Sequence, residues 1–222
     1  MNSMQLNTVI FDIDGLLIDS EPLWNQAAAE IFANYGVHLT PEAYATTTGL
    51  RTKEFVAWWL TRYEQDPAIF PRVEKEIVDL VLNKISREAR TLPGVNYIFQ
   101  FFQERGFRIG LATSSPPELI TIAKKITGIE TYVMAEASAE NLPYGKPHPQ
   151  VYLNCAEQLG VLPVSCICFE DSFNGMLAAK AARMKCVVVP HTAEREQAKW
   201  GAADLQINSL EHFTDSHLQQ LS

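Results

Sequence analysis

The chain has 222 residues, of which 47% are hydrophobic and 20% charged, and its formal net charge is -8. This composition is typical of a globular protein rather than a disordered one, and the negative charge argues against nucleic acid as the main partner. The opening segment MNSMQLN shows no secretory pattern, and no apolar run approaches the length of a membrane span. We therefore expect a cytoplasmic protein that binds neither nucleic acid nor membrane, with a monomer as its expected state.

The first predicted element is a short buried strand that ends in two acids. The run Thr8 to Phe11 is apolar and partly β-branched, as in the middle of a parallel sheet. Asp12 and Asp14 follow it at once, and Gly15 comes next. Because an unpaired buried carboxylate is very costly, two acids in this position need a cation or a shared proton.

The next segment, from about residue 17 to residue 90, shows helical patterns only. The predicted helices are Glu21 to Tyr35, Pro41 to Thr47, Thr52 to Tyr63 and Pro71 to Ser86. An insertion of this length directly after the first strand is too long for a loop. We expect it to form a separate helical cap over residues 17–90, with residues 1–16 and 91–222 forming the core domain. The turn signal LPGV, from Leu92 to Val95, marks the return to the core.

The rest of the chain alternates between strand and helix. The later predicted strands are Arg108 to Ala112, Thr131 to Ala135, Cys166 to Phe169, Cys186 to Val189 and Leu205 to Ile207. Helical spacing of apolar residues lies between them, beginning for example at Val95, Val151 and Ser172. This alternation predicts an α/β fold with a Rossmann-like parallel sheet and right-handed crossovers.

Polar side chains follow several of these strands. They are Asp12 and Asp14 after the first, Thr113, Ser114 and Ser115 after the second, Lys146 in the GKPHP segment after the third, and Glu170 and Asp171 after the fourth. In open α/β sheets the ligand crevice lies outside the carboxyl ends of the strands. We therefore expect these side chains to converge on one site.

The residue types at this site point to phosphate chemistry. Several carboxylates without histidine or cysteine select a hard cation, usually Mg²⁺. A lysine is a compact positive charge suited to a phosphate, and hydroxyls with N–H groups at a helix start bind its remaining oxygens. One carboxylate can attack phosphorus, and a second carboxyl can move the proton.

Four stretches give this site a family resemblance. They are FDIDG at Phe11 to Gly15, LATSS at Leu111 to Ser115, GKPHP at Gly145 to Pro149 and FEDSFNG at Phe169 to Gly175. In this order the chain resembles the haloacid dehalogenase superfamily of phosphotransferases, with a helical cap inserted after the first motif. The stretches DGLLIDSEPLW and KPHPQVYLNCAEQLGV are similar to bacterial sugar-phosphate phosphatases of the 2-deoxyglucose-6-phosphate and hexitol-phosphate type.

The resemblance implies roles for the acids. Asp12 matches the nucleophile, whose carboxylate also touches Mg²⁺, and Asp14 matches the general acid and base, whose backbone carbonyl binds the metal. Asp171 matches the acidic metal ligand, and Glu170 is expected to act as a further metal-binding acid, directly or through water.

The resemblance also implies how the substrate is held. Thr113, with the Ser114 backbone, matches the group that binds the transferring phosphoryl, and Lys146 matches the lysine that neutralises Asp12 and the phosphate.

The cap gives weaker signals for substrate binding. Its candidates for contact with the leaving group are Glu21, Trp24, Asn25 and Arg51. For Arg51, a solvated surface position is an equally open alternative.

The function that this resemblance implies is Mg²⁺-dependent hydrolysis of small phosphorylated sugars or sugar alcohols through an aspartyl-phosphate. A β-phosphoglucomutase-like phosphotransferase and a phosphoglycolate phosphatase are the alternatives. The mutase is the weaker reading because such enzymes usually carry a histidine near the position of Trp24. A non-catalytic binding protein is disfavoured, since Asp12, Asp14 and Lys146 are all present.

Overall fold

A central parallel sheet organises the protein. The computed structural model describes residues 5–222, and within them the sheet has six strands in the order β3-β2-β1-β4-β5-β6. The strands are β1 (Thr8–Phe11), β2 (Arg108–Thr113), β3 (Ala135–Ser138), β4 (Cys166–Glu170), β5 (Lys185–Val188) and β6 (Leu205–Gln206). Every pairing is parallel, which confirms the predicted Rossmann-like sheet.

The helices divide into two sets. The helices are α1 (Glu21–Ala33), α2 (Pro41–Ala45), α3 (Thr52–Arg62), α4 (Phe70–Glu88), α5 (Val95–Glu104), α6 (Pro117–Thr127), α7 (Gln150–Gln158), α8 (Phe173–Ala181) and α9 (Asp215–Leu221). The first four precede β2 and form the predicted cap, and the others alternate with the strands or follow the last one. None of the helices within residues 5–222 combines the length and the apolar character that crossing a bilayer requires.

Alternate side chains of the strands supply two apolar layers. Phe11 and Phe169 point into one buried cluster, with their ring centroids 5.1 Å apart. Ile10, Cys166 and Cys168 point into the other, on the opposite face of the sheet. Strands that are buried on both faces have continuous apolar sequences, which is why β1 and β4 could be predicted from the sequence.

The cap has an apolar core of its own. Its buried members are Ala28, Phe32, Val37, Val56, Leu60, Val73 and Ile77. Helix α4 joins this core to the sheet layer, because Val73 and Ile77 belong to the cap cluster whereas Val81 and Ile85 belong to the sheet cluster. The inserted helical cap is therefore confirmed, and the domain limits at residues 17 and 90 stay a prediction.

The third strand differs from its predicted place. Thr131 to Ala135 was the predicted range, but β3 begins at Ala135 and pairs with β2 from Gly110 onward. Tyr132 and Val133 pack against the sheet cluster from outside the sheet, and Met134 is 65% exposed. Tyr132 and Val133 are thus apolar for packing, and hydrogen bonding to β2 begins where the N–H of Met134 donates to the carbonyl of Ile109 at 2.8 Å.

Register places the key loops side by side. Phe11 is opposite Leu111 in β2 and opposite Phe169 in β4. The backbone N–H of Asp12 continues this pattern, donating to the carbonyl of Phe169 at 3.1 Å. The segments that leave β1, β2 and β4 therefore meet at the centre of the carboxyl edge of the sheet.

Replacing Phe99 with alanine should strongly destabilise the core. Its ring is fully buried and stacks on Phe11 with centroids 4.7 Å apart. Loss of such a ring costs about 3–5 kcal/mol, which chemical denaturation followed by circular dichroism would measure. Trp58→Ala is the control, since Trp58 is half-exposed on the cap and its loss should cost no more than about 1 kcal/mol. Similar losses for both variants would contradict this description of the core.

Candidate active site

A buried lysine lies at the centre of the site. The Lys146 ammonium donates to Asp12 Oδ1 at 2.6 Å, to Glu170 Oε1 at 2.6 Å and to the carbonyl of Ala112 at 3.1 Å. Lys146 is 1% exposed and Glu170 is fully buried. The ammonium therefore has its hydrogen-bonding capacity filled, and it joins the loops after β1 and β3 to the end of β4.

Glu170 is held from a second side. Its Oε1 also accepts from the hydroxyl of Tyr152, and its Oε2 accepts from the hydroxyl of Ser172 at 3.2 Å. Ser172 caps helix α8 by accepting from the N–H of Gly175 at 3.0 Å. A Cβ at Gly175 would lie about 2 Å from the Glu170 carboxylate, so glycine is required where the acid packs on the helix.

The acids form a cluster that can hold a metal ion. Asp12, Glu170 and Asp171 each offer a carboxylate oxygen, and these oxygens lie within 4.8 Å of one another. Gly15 allows this approach, because a Cβ there would lie 2.1 Å from Asp171 Oδ2 and its φ of +70° suits glycine.

The charges in this cluster are not balanced by the lysine alone. Burial raises the pKa of Asp12 well above its usual range, Lys146 acts in the opposite direction, and Glu170 adds to the rise. Burial and the nearby carboxylates, first among them Glu21, raise the pKa of Asp171 as well. Burial alone would lower the pKa of Lys146, but Asp12 and Glu170 more than offset this and raise it. A cation bound among these oxygens would keep the carboxylates ionised, so the donor set fits a metal ion.

Asp14 points to a different set of partners. Its Oδ1 accepts from the hydroxyl of Ser20 at 2.6 Å and from the indole N–H of Trp24 at 2.8 Å. Its Oδ2 accepts from the hydroxyl of Ser115 at 2.6 Å. Two residues at the entrance to the cap and one from the loop after β2 thus fix the orientation of this carboxyl group.

Thr113 and Ser114 lie where the second motif leaves the sheet. Thr113 is buried at the end of β2, and its hydroxyl accepts from the N–H of Ser115 at 3.0 Å. The hydroxyl of Ser114 donates to the carbonyl of Gly49 in the cap at 2.8 Å. The loop from Thr113 to Ser115 therefore faces the acids on one side and is hydrogen-bonded to the cap on the other.

A cavity of about 110 Å³ lies between the core and the cap. Its core side includes Asp12, Asp14, Thr113, Ser114, Lys146 and Asp171. Its cap side includes Glu21, Trp24 and Asn25, three of the four cap candidates for contact with the leaving group. Burial raises the pKa of Glu21. The structure thus brings these core and cap residues to one space, with Glu170 buried and absent from the cavity lining.

Arg51 is elsewhere. Among the described residues, those that line the cavity do not include it. Its guanidinium donates to the carbonyls of Ala139 and Leu142 at 3.1 and 2.5 Å, and to Glu54 at 2.6 Å. Glu54 in turn accepts from the N–H of Gly145 at 3.1 Å. Arg51 therefore links the cap to the loop that carries Lys146, and its expected contact with the leaving group stays a prediction.

Three contact residues gave little or no sequence signal. Ser115 was expected at the site only as one of the polar side chains after β2, without a role of its own, and it binds Asp14. Ser20, which precedes the Glu-Pro start of α1, resembles an ordinary helix cap, but its hydroxyl turns to Asp14 instead. Tyr152 lies on the apolar face of α7 and has the spacing of a core residue. Its hydroxyl could be connected to Glu170 only once α7 was packed against β2 and β3.

Comparison with known proteins identifies the family. The sequence model of the haloacid dehalogenase-like hydrolase family matches residues 6–183 of this chain. Over 215 residues the chain is 38% identical to hexitol phosphatase B of Escherichia coli strain K12, covering 96% of this chain and 97% of that protein. It is 29% identical to the fructose-1-phosphate phosphatase YqaB of the same strain, covering 82% of this chain and 95% of that protein. The chain belongs to the haloacid dehalogenase-like hydrolase family, and its activity class is phosphoric monoester hydrolysis.

Solved structures agree with this assignment. CbbY of Rhodobacter sphaeroides, solved in complex with phosphate, has 25% identity and a TM-score of 0.84, covering 97% of this chain and all of that one. A β-phosphoglucomutase of Clostridium difficile has a TM-score of 0.86 at 22% identity, covering 98% of this chain and 97% of that one, and this likeness concerns the fold alone.

Gly175→Ala should disable the site and, because it disturbs a buried ion pair, should also lower the stability of the fold. The added methyl would overlap the Glu170 carboxylate and displace it together with Lys146. A displacement of about 1 Å at such a site costs about a hundredfold in turnover, which steady-state phosphate release would measure. The matched control is Gly201→Ala, where a Cβ meets no atom within 4 Å. Unchanged activity in the Gly175 variant would contradict the described packing.

Arg51→Ala should lower activity on all substrates alike. The change removes the contacts from the cap to the Lys146 loop and leaves the cavity lining intact. A loss of roughly tenfold in kcat/KM is expected, which is the scale of one lost charged hydrogen bond. Lys53→Ala, an exposed neighbour on α3, should change little. A rise in KM confined to one preferred substrate would show instead that Arg51 contacts the leaving group.

Proposed function

We propose that the protein hydrolyses hexose or hexitol phosphates, such as 2-deoxyglucose 6-phosphate, in a Mg²⁺-dependent reaction through an aspartyl-phosphate on Asp12. The observation that carries this proposal is the buried contact between Lys146 and Asp12 beside the acidic cluster. The relationship to hexitol phosphatase B over nearly the whole chain supports the substrate class.

Mg²⁺ suits the cluster because the ligands offered are carboxylate oxygens. Asp12 and Asp171 would hold it, with Glu170 close by and the backbone carbonyl of Asp14 as a further ligand. When bound, the ion supplies positive charge to the phosphoryl oxygens and to the ionised carboxylates.

Asp12 begins the reaction as the nucleophile. A carboxylate oxygen of Asp12 attacks phosphorus in line, and the bond between phosphorus and the sugar oxygen breaks. Lys146 neutralises negative charge on Asp12 and on the phosphoryl group, while Thr113 and the Ser114 backbone hold the phosphoryl oxygens. The cap closes the cavity and excludes water during this step.

Asp14 moves the proton. It donates a proton to the departing sugar oxygen, then accepts one from the water that attacks the aspartyl-phosphate and releases inorganic phosphate. Trp24 can only donate, so Oδ1 remains an acceptor. The Ser115 hydroxyl can donate or accept, so Oδ2 is the oxygen that carries the proton in both directions.

The side chain of Trp24 bears on the mutase alternative. Its indole N–H donates to Asp14, and the ring lines the cavity. This position therefore has no imidazole that could relay a proton to a second sugar oxygen. Conversion of β-glucose 1-phosphate to glucose 6-phosphate with little free phosphate would nevertheless establish a mutase.

Asp12→Asn should abolish phosphate release while the fold persists. The amide is a far weaker nucleophile, and a loss of at least about a thousandfold is expected. The assay measures phosphate release from hexose and hexitol phosphates with Mg²⁺ and with EDTA, and EDTA should reduce the wild-type rate to the level of the variant. Asp79→Asn, an exposed acid on α4, is the control. Substantial turnover by the Asp12 variant would exclude the covalent route, and undiminished turnover in EDTA would exclude the metal.

A further inference from the structure

Tyr44 lies in the cap. Packing accounts for its aromatic ring but not for its hydroxyl. The residue lies in α2 and lines the cavity. Its ring stacks on Phe55, with centroids 6.0 Å apart and planes 15° from parallel. Phe55 stacks in turn on Phe32, a buried member of the cap core. Phenylalanine would satisfy all of these contacts.

The hydroxyl of Tyr44 is buried without a protein partner. Within residues 5–222 no donor or acceptor lies within hydrogen-bonding reach of it. Burial raises the pKa of Tyr44, so the phenol stays protonated and can both donate and accept. A buried hydroxyl without a partner destabilises the free protein. Because Tyr44 lines the cavity while its hydroxyl is closed off from solvent, a ligand group that reaches the hydroxyl as the cavity fills would complete its hydrogen bonding.

The backbone below Tyr44 is fixed. The hydroxyl of Thr47 donates to the carbonyl of Tyr44 at 3.1 Å, and the same hydroxyl accepts from the indole N–H of Trp59 at 3.1 Å. With the ring stacked on Phe55, the hydroxyl is set in place before any ligand arrives. A group held in this way can discriminate between ligands, because little ordering is needed on binding.

The two sides of the cavity differ in chemistry. The core side has the acids, Lys146 and Thr113, which suit a phosphoryl group. The cap side places polar Asn25 and Thr48 among apolar Ala28 and Ile77. A leaving group that fills the cap side thus meets hydrogen-bonding groups separated by apolar surface, as the alternating hydroxyls and C–H groups of a polyol require.

We propose that the Tyr44 hydroxyl hydrogen-bonds a hydroxyl of the leaving group and so selects polyhydroxylated phosphate esters over esters that lack such a group. This assignment rests on the proposed phosphatase function and adds a specificity-determining residue in the cap.

The test compares two kinds of leaving group. Wild type, Tyr44→Phe and the control Tyr63→Phe are assayed on sorbitol 6-phosphate, on mannitol 1-phosphate and on p-nitrophenyl phosphate, whose leaving group has no further hydroxyl. Tyr63 is a cap tyrosine whose hydroxyl binds the carbonyl of His38 at the surface. Tyr44→Phe should lose roughly tenfold in kcat/KM on a hexitol phosphate and keep its activity on p-nitrophenyl phosphate. Tyr63→Phe should leave both unchanged.

The outcomes separate this proposal from the one on which it rests. Wild type that releases no phosphate from any of these esters defeats the proposed function. Wild type that is active while Tyr44→Phe loses nothing, or loses the same factor on every ester, defeats the role of Tyr44. As a readout independent of turnover, calorimetry should show that Tyr44→Phe weakens binding of sorbitol 6-phosphate, but not of inorganic phosphate, to the Asp12→Asn protein. Equal affinities for sorbitol 6-phosphate would likewise overturn the assignment.

Discussion

The burial of one positive charge between two negative ones is the constraint on which the site depends. Asp12 and Glu170 come from the ends of neighbouring strands, and neither could be buried so close to the other without the ammonium of Lys146. The lysine reaches them from the loop after β3, so three segments of the core must be folded before the charges are paired. Stability and chemistry thus share one contact, because the group that permits burial of Asp12 also positions it for the attack on phosphorus that we propose.

The residues around Lys146 and Glu170 complete the hydrogen bonding of these buried charges. Glu170 accepts from Tyr152 and Ser172 as well as from Lys146, which leaves its carboxylate little freedom to turn. The cap is attached at backbone groups, with Ser114 bound to Gly49 and Asn174 bound to Thr48, and Ser20 and Trp24 add contacts to Asp14. Cavity-facing side chains of the cap other than Trp24 can therefore vary without disturbing the charges below, and this arrangement suits a family that applies one reaction to many leaving groups.

Sequence patterns predicted most of the core and less of the cap. Strands such as β1 and β4 are buried on both faces, so their apolar runs and the acids that follow them could be recognised without a structure. The start of β3 could not, because Tyr132 and Val133 are apolar for packing and only the register with β2 determines where pairing begins. The position of Arg51 could not be predicted for a related reason. Apart from Glu54, its partners are backbone carbonyls about ninety residues away, which side-chain patterns do not reveal.

The most direct test of the central claim, that Asp12 attacks phosphorus while Asp14 moves the proton, uses Asp14→Asn with p-nitrophenyl phosphate. p-Nitrophenolate leaves without needing a proton, so the first step should proceed, whereas the second lacks its base. Rapid mixing should give a burst of p-nitrophenolate equal to the enzyme concentration, and mass spectrometry of the quenched protein should find one phosphoryl group on Asp12. A linear reaction with no burst and an unmodified Asp12, or a phosphoryl group on another residue, would contradict the account.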